Sequence, residues 1–346
     1  MVKKTCKKND PPNPRLGCVG GQAVMEGIMM RGKKQYTTAV RLSNGTIVRD
    51  THSNKSIKEK HKWLGKPVLR GVVNFIEMLK LSFSTLTYSA EALGLETEDE
   101  SKFEKWLKKV FGESLIMVAA IIGMILGVIL ALGLFMYMPA LVSGWITDWI
   151  DFGKAEQVFR SVFEGVLKIA IFILYTALIA LLPDIKRTFA YHGAEHKTIF
   201  CYESGEELTV ENIRKQKRLH PRCGSSFMIV MMFLGIVIGM LIPSMHAILR
   251  TGIRLLILPL IVGIGYEVIM FAGKHDNPVM RVLTAPGIWM QLITTKEPDD
   301  KQIEVAIAAI KSALPDQFAE DEVFHGFEYA RPQEHTTQEE EESNQV

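Results

Sequence analysis

Apolar and polar positions are segregated along this chain into long blocks. Residues 115–142, 161–182, 226–249 and 253–272 are almost free of charge and rich in Leu, Ile, Val, Met, Gly and Ala. A helix needs about 20 apolar residues to cross the hydrocarbon layer of a bilayer, and each block is long enough. A soluble core helix of this length would carry a polar face; these carry almost none. The pattern predicts a mainly α-helical, polytopic membrane protein with about four transmembrane helices.

Ahead of these blocks, residues 67–95 place Val68, Val72, Phe75, Ile76, Leu79, Phe83 and Leu86 at helical spacing behind Pro67. Arg70, Glu77 and Lys80 make that helix a poor membrane crosser, so it reads as an interfacial amphipathic helix or a re-entrant segment. Phe103, Trp106, Leu107, Val110 and Phe111, set among lysines, predict a second interfacial helix. Tyr36–Val40 and Thr46–Arg49 flank Asn44-Gly45, a two-residue turn signal, and predict a small β hairpin within residues 17–50. After the last block, Ile303, Ile307 and Ile310 form the stripe of a helix over 301–313, capped by Asp299 or Asp300 and stopped by Pro315.

The resulting order is a basic arm (1–16), a Gly/Met-rich segment with the hairpin (17–66), interfacial helices (67–113) and a membrane domain (114–272) interrupted by a polar loop (183–225). A helical segment (273–315) and an acidic tail (316–346) follow. The arm and the tail read as disordered. Gly123–Gly127 and Gly235–Gly239 are spaced as G-x-x-x-G and predict close helix contacts.

Bulk composition hides this segregation: 48% hydrophobic, 23% charged and a formal charge of +2 would suit an ordinary soluble protein. The apolar blocks exclude that class, along with a disordered chain and a disulfide-stapled secreted domain. Met1–Asp10 is basic but leads into prolines, not an apolar run, so it does not read as a signal peptide. Cys6, Cys18, Cys201 and Cys223 are too scattered for a disulfide framework and read as thiols or metal ligands.

Charge sets the expected topology. Residues 1–113 hold 21 of the 40 cations and residues 183–225 hold eight, against two each in 143–160 and in a tight turn at 243–254. Basic segments stay in the cytosol, which places both termini and the 183–225 loop there, in the cell membrane. Lys168 is expected to snorkel toward the outer interface. The basic arm is expected to meet anionic lipid headgroups of the bilayer, and a membrane-protein partner is a further expectation. Nucleic acid or a ribosome is disfavoured, since no aromatic-interleaved signature accompanies the charge.

The chemistry concentrates in 183–225. A helix from Pro183 to Ser204-Gly205 puts His192, Glu195, His196, Ile199 and Glu203 on one face. Two imidazoles at i, i+4 can grip one divalent metal, zinc by preference, and Glu203 could add an oxygen. The order H-x-x-E-H matches a zinc-hydrolase pattern in which Glu195 would be the general base. His220 and Cys223, just ahead of the third apolar block, could complete the metal shell, whereas Cys201 points to the opposite face. The plain alternative is hydrogen-bonded structural histidines. Gln22, Glu26 and Arg31 lie among the glycines of GGQAVMEGIMMR as further candidates, Glu26 as a ligand and Arg31 as an anion clamp. Glu267, near the end of the fourth block, is a functional candidate because an acid at that depth faces protein or a polar cavity. His275, Asp276 and Gln291 are weaker ones.

The blocks GGQAVMEGIMMRG (20–32), HGAEHKTIFCYE (192–203) and HPRCGSSF (220–227) resemble the signatures of the YqhQ-like family of bacterial multi-pass membrane proteins, over roughly residues 17–315. Its members are described as predicted metal-dependent enzymes, which implies His192, Glu195, His196, His220 and Cys223 as the residues of interest. Two functions compete on these grounds. One is a metal-dependent hydrolase working at the membrane surface. The other is a non-enzymatic factor in membrane-protein biogenesis or assembly, with the His/Cys loop structural. Transport, which would draw only on Glu267, ranks behind both.

Overall fold

The structure is a computed structural model that describes residues 15, 19–94, 113–243, 245–272 and 278–319. It is mainly helical, with a four-stranded antiparallel meander at the N-terminal end: β1 (Gly20–Val24), β2 (Gly27–Arg31), β3 (Gln35–Arg41) and β4 (Ile47–Ser53). The expected hairpin is therefore half of a larger sheet. Its two extra strands come from the Gly/Met-rich segment, where no alternation is visible because β2 is covered on both faces. Ile28 and Met30 point one way and Met29 the other, and all three are fully buried. The Asn44-Gly45 turn is present, but its tip is three residues long. Leu42 N–H donates to Thr46 O at 2.9 Å, and Gly45 adopts φ +90°, a conformation that suits glycine.

One sheet face packs against α6 (Pro183–Ser204) and α11 (Asp300–Ala313), forming a core with Ile28, Met30, Ala39, Ile47, Tyr191 and Ile307. The expected C-terminal helix is α11, closed by a capping box in which Asp299 and Gln302 exchange side-chain-to-backbone bonds. The opposite face meets α2 (Leu69–Ala92), which follows the short α1 (Ile57–Lys60). Ser82 donates to Gln22 at 2.6 Å, and Ser89 to Met25 O at 2.5 Å.

The apolar blocks form α3 (Glu113–Leu132), a π-helical turn (Gly133–Tyr137), α4 (Met138–Trp149), α5 (Glu156–Ile179), α8 (Gly224–Gly239) and α9 (Ala247–Ala272). The short α7 (Val210–Arg214) precedes α8, and α10 (Pro278–Thr294) follows α9. Pro139 explains the π turn: it lacks an N–H, and its ring crowds the carbonyl of Phe135 four residues back. Three stretches are long and apolar enough to cross a membrane: Ile125–Trp149, Gly153–Ile179 and Ile248–Phe271. Their surfaces are largely exposed and apolar, as at Leu130, Leu174 and Leu256, which suits a membrane and not water.

The third and fourth blocks depart from the expected 226–249 and 253–272. α8 stops at Gly239 after 16 residues, ahead of Pro243, and α9 begins at Ala247. Arg250 and Arg254 consequently lie inside α9, not in a turn, and both are buried. Lys168 sits within electrostatic range of Arg254, Glu164 and Arg250, groups on the same side of the membrane helices.

Two further expectations change. A Cβ built at Gly123, Gly127 or Gly235 meets nothing within 4 Å, so those G-x-x-x-G positions do not mark close contacts among the described residues. Close approach occurs instead where α2 crosses α9: a Cβ on Gly71 would lie 2.7 Å from Tyr266 Cβ and 2.9 Å from Gly263 Cα. Glu267 clasps that crossing, accepting from Arg70 Nε (2.7 Å) and Nη2 (2.5 Å) and from Val68 N–H (3.2 Å). It thus faces protein and caps α2, and α2 bridges the sheet and a membrane helix while Ile76, Leu79 and Phe83 stay exposed on its apolar face. The second interfacial helix, the basic arm apart from Arg15, His275, Asp276 and nearly all of the acidic tail lie outside the described residues.

Gly71→Ala is expected to destabilise the protein by about 1–3 kcal/mol through overpacking at this crossing, while Gly235→Ala is neutral. Thermal unfolding of the two variants in detergent checks it, and equal melting temperatures would refute the contact.

Candidate metal centre

The second half of α6, from Tyr191 to Glu203, is mostly buried between the sheet and α11, and the helix ends on Gly205 in the left-handed conformation, the expected glycine cap. One side chain's absence lets a second segment reach it. The chain after α10 crosses α6 at Gly193, where a Cβ would stand 1.9 Å from Lys296 O. Lys296 N–H donates to Phe189 O at 2.8 Å, and the crossing brings Thr294 O within 2.8 Å of His192 Nδ1. His196 Nδ1 lies 2.5 Å from Arg218 O in the turn ahead of α8.

Carbonyl oxygens only accept, so both rings carry their proton on Nδ1 and present a bare Nε2. His192 Nε2 lies 3.3 Å from Cys223 Sγ. One ligand atom each from His192, His196 and Cys223 falls within 4.8 Å of the others, the spacing of groups that can share one ion. Carbonyls fixing the far nitrogens are the outer-shell arrangement that metal-ligating histidines require. Burial, the larger effect, holds the His196 imidazole below its ordinary value and keeps it neutral, although its bond to Cys223 pulls the other way.

The turn carrying Cys223 is held from two sides. Gln291 on α10 clamps the His220 backbone, accepting from its N–H at 2.7 Å and donating to its carbonyl at 2.8 Å. Arg218 Nη1 donates to Thr295 O at 2.6 Å. Gly287 permits the close packing of α10 on α8, since a Cβ there would lie 2.4 Å from Ser226 Cα.

The predicted set therefore divides. His192, His196 and Cys223 converge. His220 packs its ring 5.5 Å from that of His196 but turns its nitrogens elsewhere: Nδ1 accepts from Arg222 N–H at 3.3 Å, and Nε2 lies 3.8 Å from Glu203. Glu203 in turn is ion-paired with Arg222. Neither belongs to the cluster, because both are committed to that cation. Glu195 is buried against β1, its carboxyl 2.9 Å from where a Gly21 Cβ would be, with Oε2 lacking a hydrogen-bond partner. Burial pushes its carboxyl up to about 7, opposed by the nearby His192.

Of the other candidates, Glu26 pairs with Arg187 and accepts from Tyr191 OH at 3.2 Å, a strut between sheet and α6. Arg31 donates to Asn54 at 2.9 Å and approaches Met78 Sδ at 3.1 Å, and Gln22 takes the Ser82 hydroxyl. None of these three reaches the cluster. Cys201 faces the core, as its helical position implied, and burial raises its thiol to about 12. Sequence reasoning missed Gly193 and the Thr294 and Arg218 carbonyls; main-chain atoms leave no residue-type signal, and only Gly193 was there to be noticed.

The arrangement defines a helical, membrane-compatible protein with a partly buried His/His/Cys cluster beside its apolar helices. The chain belongs to the family described as Protein of unknown function (DUF1385), which matches residues 66–316. It is 36% identical over 296 residues to the Uncharacterized protein YqhQ of Bacillus subtilis (strain 168), covering 85% of this chain and 92% of that protein. No solved structure matches. The family resemblance is thereby established, and neither comparison carries an activity.

With added zinc, Cys223 is expected to lose maleimide reactivity at least about tenfold, while Cys201 stays unreactive with or without metal. Peptide-resolved mass spectrometry reads both; unprotected Cys223 would argue against the cluster. Gly193→Ala, which changes no ligand side chain, is expected to abolish zinc binding by displacing Thr294 from His192, and equilibrium dialysis of the folded variant tests that.

Proposed function

We propose that this protein is a multi-pass cell-membrane protein whose His/His/Cys cluster holds a divalent metal, zinc by preference, at the cytosolic face and supports hydrolysis of a membrane-linked substrate. The observation that carries this reading is the convergence of one ligand atom from each of two imidazoles and one thiol, with both Nδ1 atoms held against backbone carbonyls. No fourth ligand atom joins the three among the described residues, and three protein ligands plus one free position is the composition of catalytic sites. A metal bound there would acidify water and polarise the bond to be cut.

The chain's own residues supply the rest. His192 and His196 are oriented by their carbonyl partners, and Cys223 would supply its sulfur as the third ligand. Glu195 takes the proton-accepting role on the strength of its place in H-x-x-E-H and its partnerless Oε2. Lysine- and arginine-rich segments on the cluster's side favour a cytosolic setting, with α8 spanning a locally thinned layer. The basic arm would add attraction to anionic headgroups.

A structural clip is the second reading. It is favoured by the fact that the ligands come from α6 and from the entry to α8, two segments the site would tie together. Glu195→Gln separates the two. It is expected to bind zinc like the native protein and to fail to complement a deletion strain. Full complementation by that variant would sink the hydrolase and leave the clip.

A further inference from the structure

A second polar site lies at the other end of the membrane helices. Glu156, Arg160, Glu164 and Lys168 follow one another at four-residue intervals and share one face of α5, and Arg250 and Arg254 stand one turn apart on α9. Ser161 on α5 is 22 residues before Pro183, so the site is about 30 Å along the helix from the start of α6 and independent of the His/Cys cluster.

Its pairing is incomplete. Arg160 pairs with Glu156 at 3.0 Å. Glu164, almost wholly buried, takes Arg254 Nη1 and the Ser143 hydroxyl (2.8 Å), with Arg250 Nε at 3.4 Å. Arg250 Nη2 donates to Ser161 at 2.9 Å. One carboxylate thus serves two buried guanidinium groups, with Lys168 also in range. Arg250 is 1% exposed, yet its Nε and Nη1 have no hydrogen-bond partner; nor do the buried Arg254 Nε and Thr251 Oγ1.

Every one of these atoms can donate, and the two carboxylates in range, Glu164 and Glu156, are shared among Arg250, Arg254, Arg160 and Lys168. Unpaired guanidinium N–H groups among apolar helices are strongly disfavoured, so the missing element is an oxyanion. Phosphate matches best, because its several oxygens accept from the forked donors of two arginines at once. Val158, Val162, Leu241, Ile248 and Leu249, close by in sequence, are exposed and apolar, the surroundings acyl chains would occupy. Gly239 lets the Arg254 guanidinium pack directly on the α8 backbone, since a Cβ there would come within 3.1 Å of Arg254 Nη2.

We propose that Arg250, Arg254 and Lys168, backed by Ser161 and Thr251, form a binding site for the phosphate of an anionic phospholipid.

The test uses the full-length protein, delipidated in neutral detergent. Its thermal unfolding is followed on titration with phosphatidylglycerol, with phosphatidylcholine of the same acyl chains, or with inorganic phosphate at matched ionic strength. Phosphatidylglycerol is expected to protect at concentrations about tenfold lower than phosphatidylcholine, the effect of one charge-assisted contact. Arg250→Gln, or Lys168→Gln if the first variant does not fold, is expected to erase that preference. A preference that survives in Lys168→Gln and in any folded Arg250→Gln would come from basic surface elsewhere and overturn the site, as would equal protection by the two lipids. Inorganic phosphate protecting as well as phosphatidylglycerol would overturn the lipid as its source.

Discussion

The cluster depends on one close approach. Where the chain leaving α10 crosses α6, Gly193 offers no side chain, and Lys296 O occupies the space a Cβ would fill. That contact sets the position of Thr294 O, which sets the His192 proton on Nδ1 and so frees Nε2. Any larger residue would lift the crossing strand away and release the ring. The same logic recurs at Gly287, where α10 lies tightly on α8 and aligns Gln291 with the turn that carries Cys223. Small residues at helix crossings, more than the polar residues themselves, hold the geometry.

The molecule also separates two kinds of buried polar group by position. Near α6 the buried groups are neutral or driven toward neutrality: His196 below its ordinary value, Glu195 above it. Between α5 and α9 the groups are guanidinium ions, which do not give up their charge in a protein and therefore need counter-charge. The first environment suits metal ligation, which needs unprotonated nitrogen; the second suits an anion.

Local signals in the chain proved reliable where periodicity and caps were strong. The helix over Pro183–Ser204, its glycine end and the capped Asp300–Ala313 helix appear where their patterns lie, and the apolar blocks are helical though with shifted ends. The i, i+4 spacing of His192 and His196 required them to share a face, and Cys223 joined them. His220 and Glu203 show the limit of that reasoning. Both were near enough by spacing, but Arg222 sits between them and takes up the carboxylate, a competition that no linear spacing reveals. The β2 strand was hidden for a related reason: buried on two faces, it loses the alternation by which strands are recognised.

By itself the sequence determined the helical, membrane-compatible class, the small N-terminal β element and the helix face that carries the imidazoles, because these follow from short-range periodicity and turn chemistry. Tertiary structure alone decided which groups meet. Glu267 became a cap for α2, Glu26 a strut to α6, and Arg250 and Arg254 the buried partners of Glu164. Such partnerships join residues between about 90 and 200 positions apart. They depend on how closely backbones can approach, a property set by packing and not by the pattern along either segment.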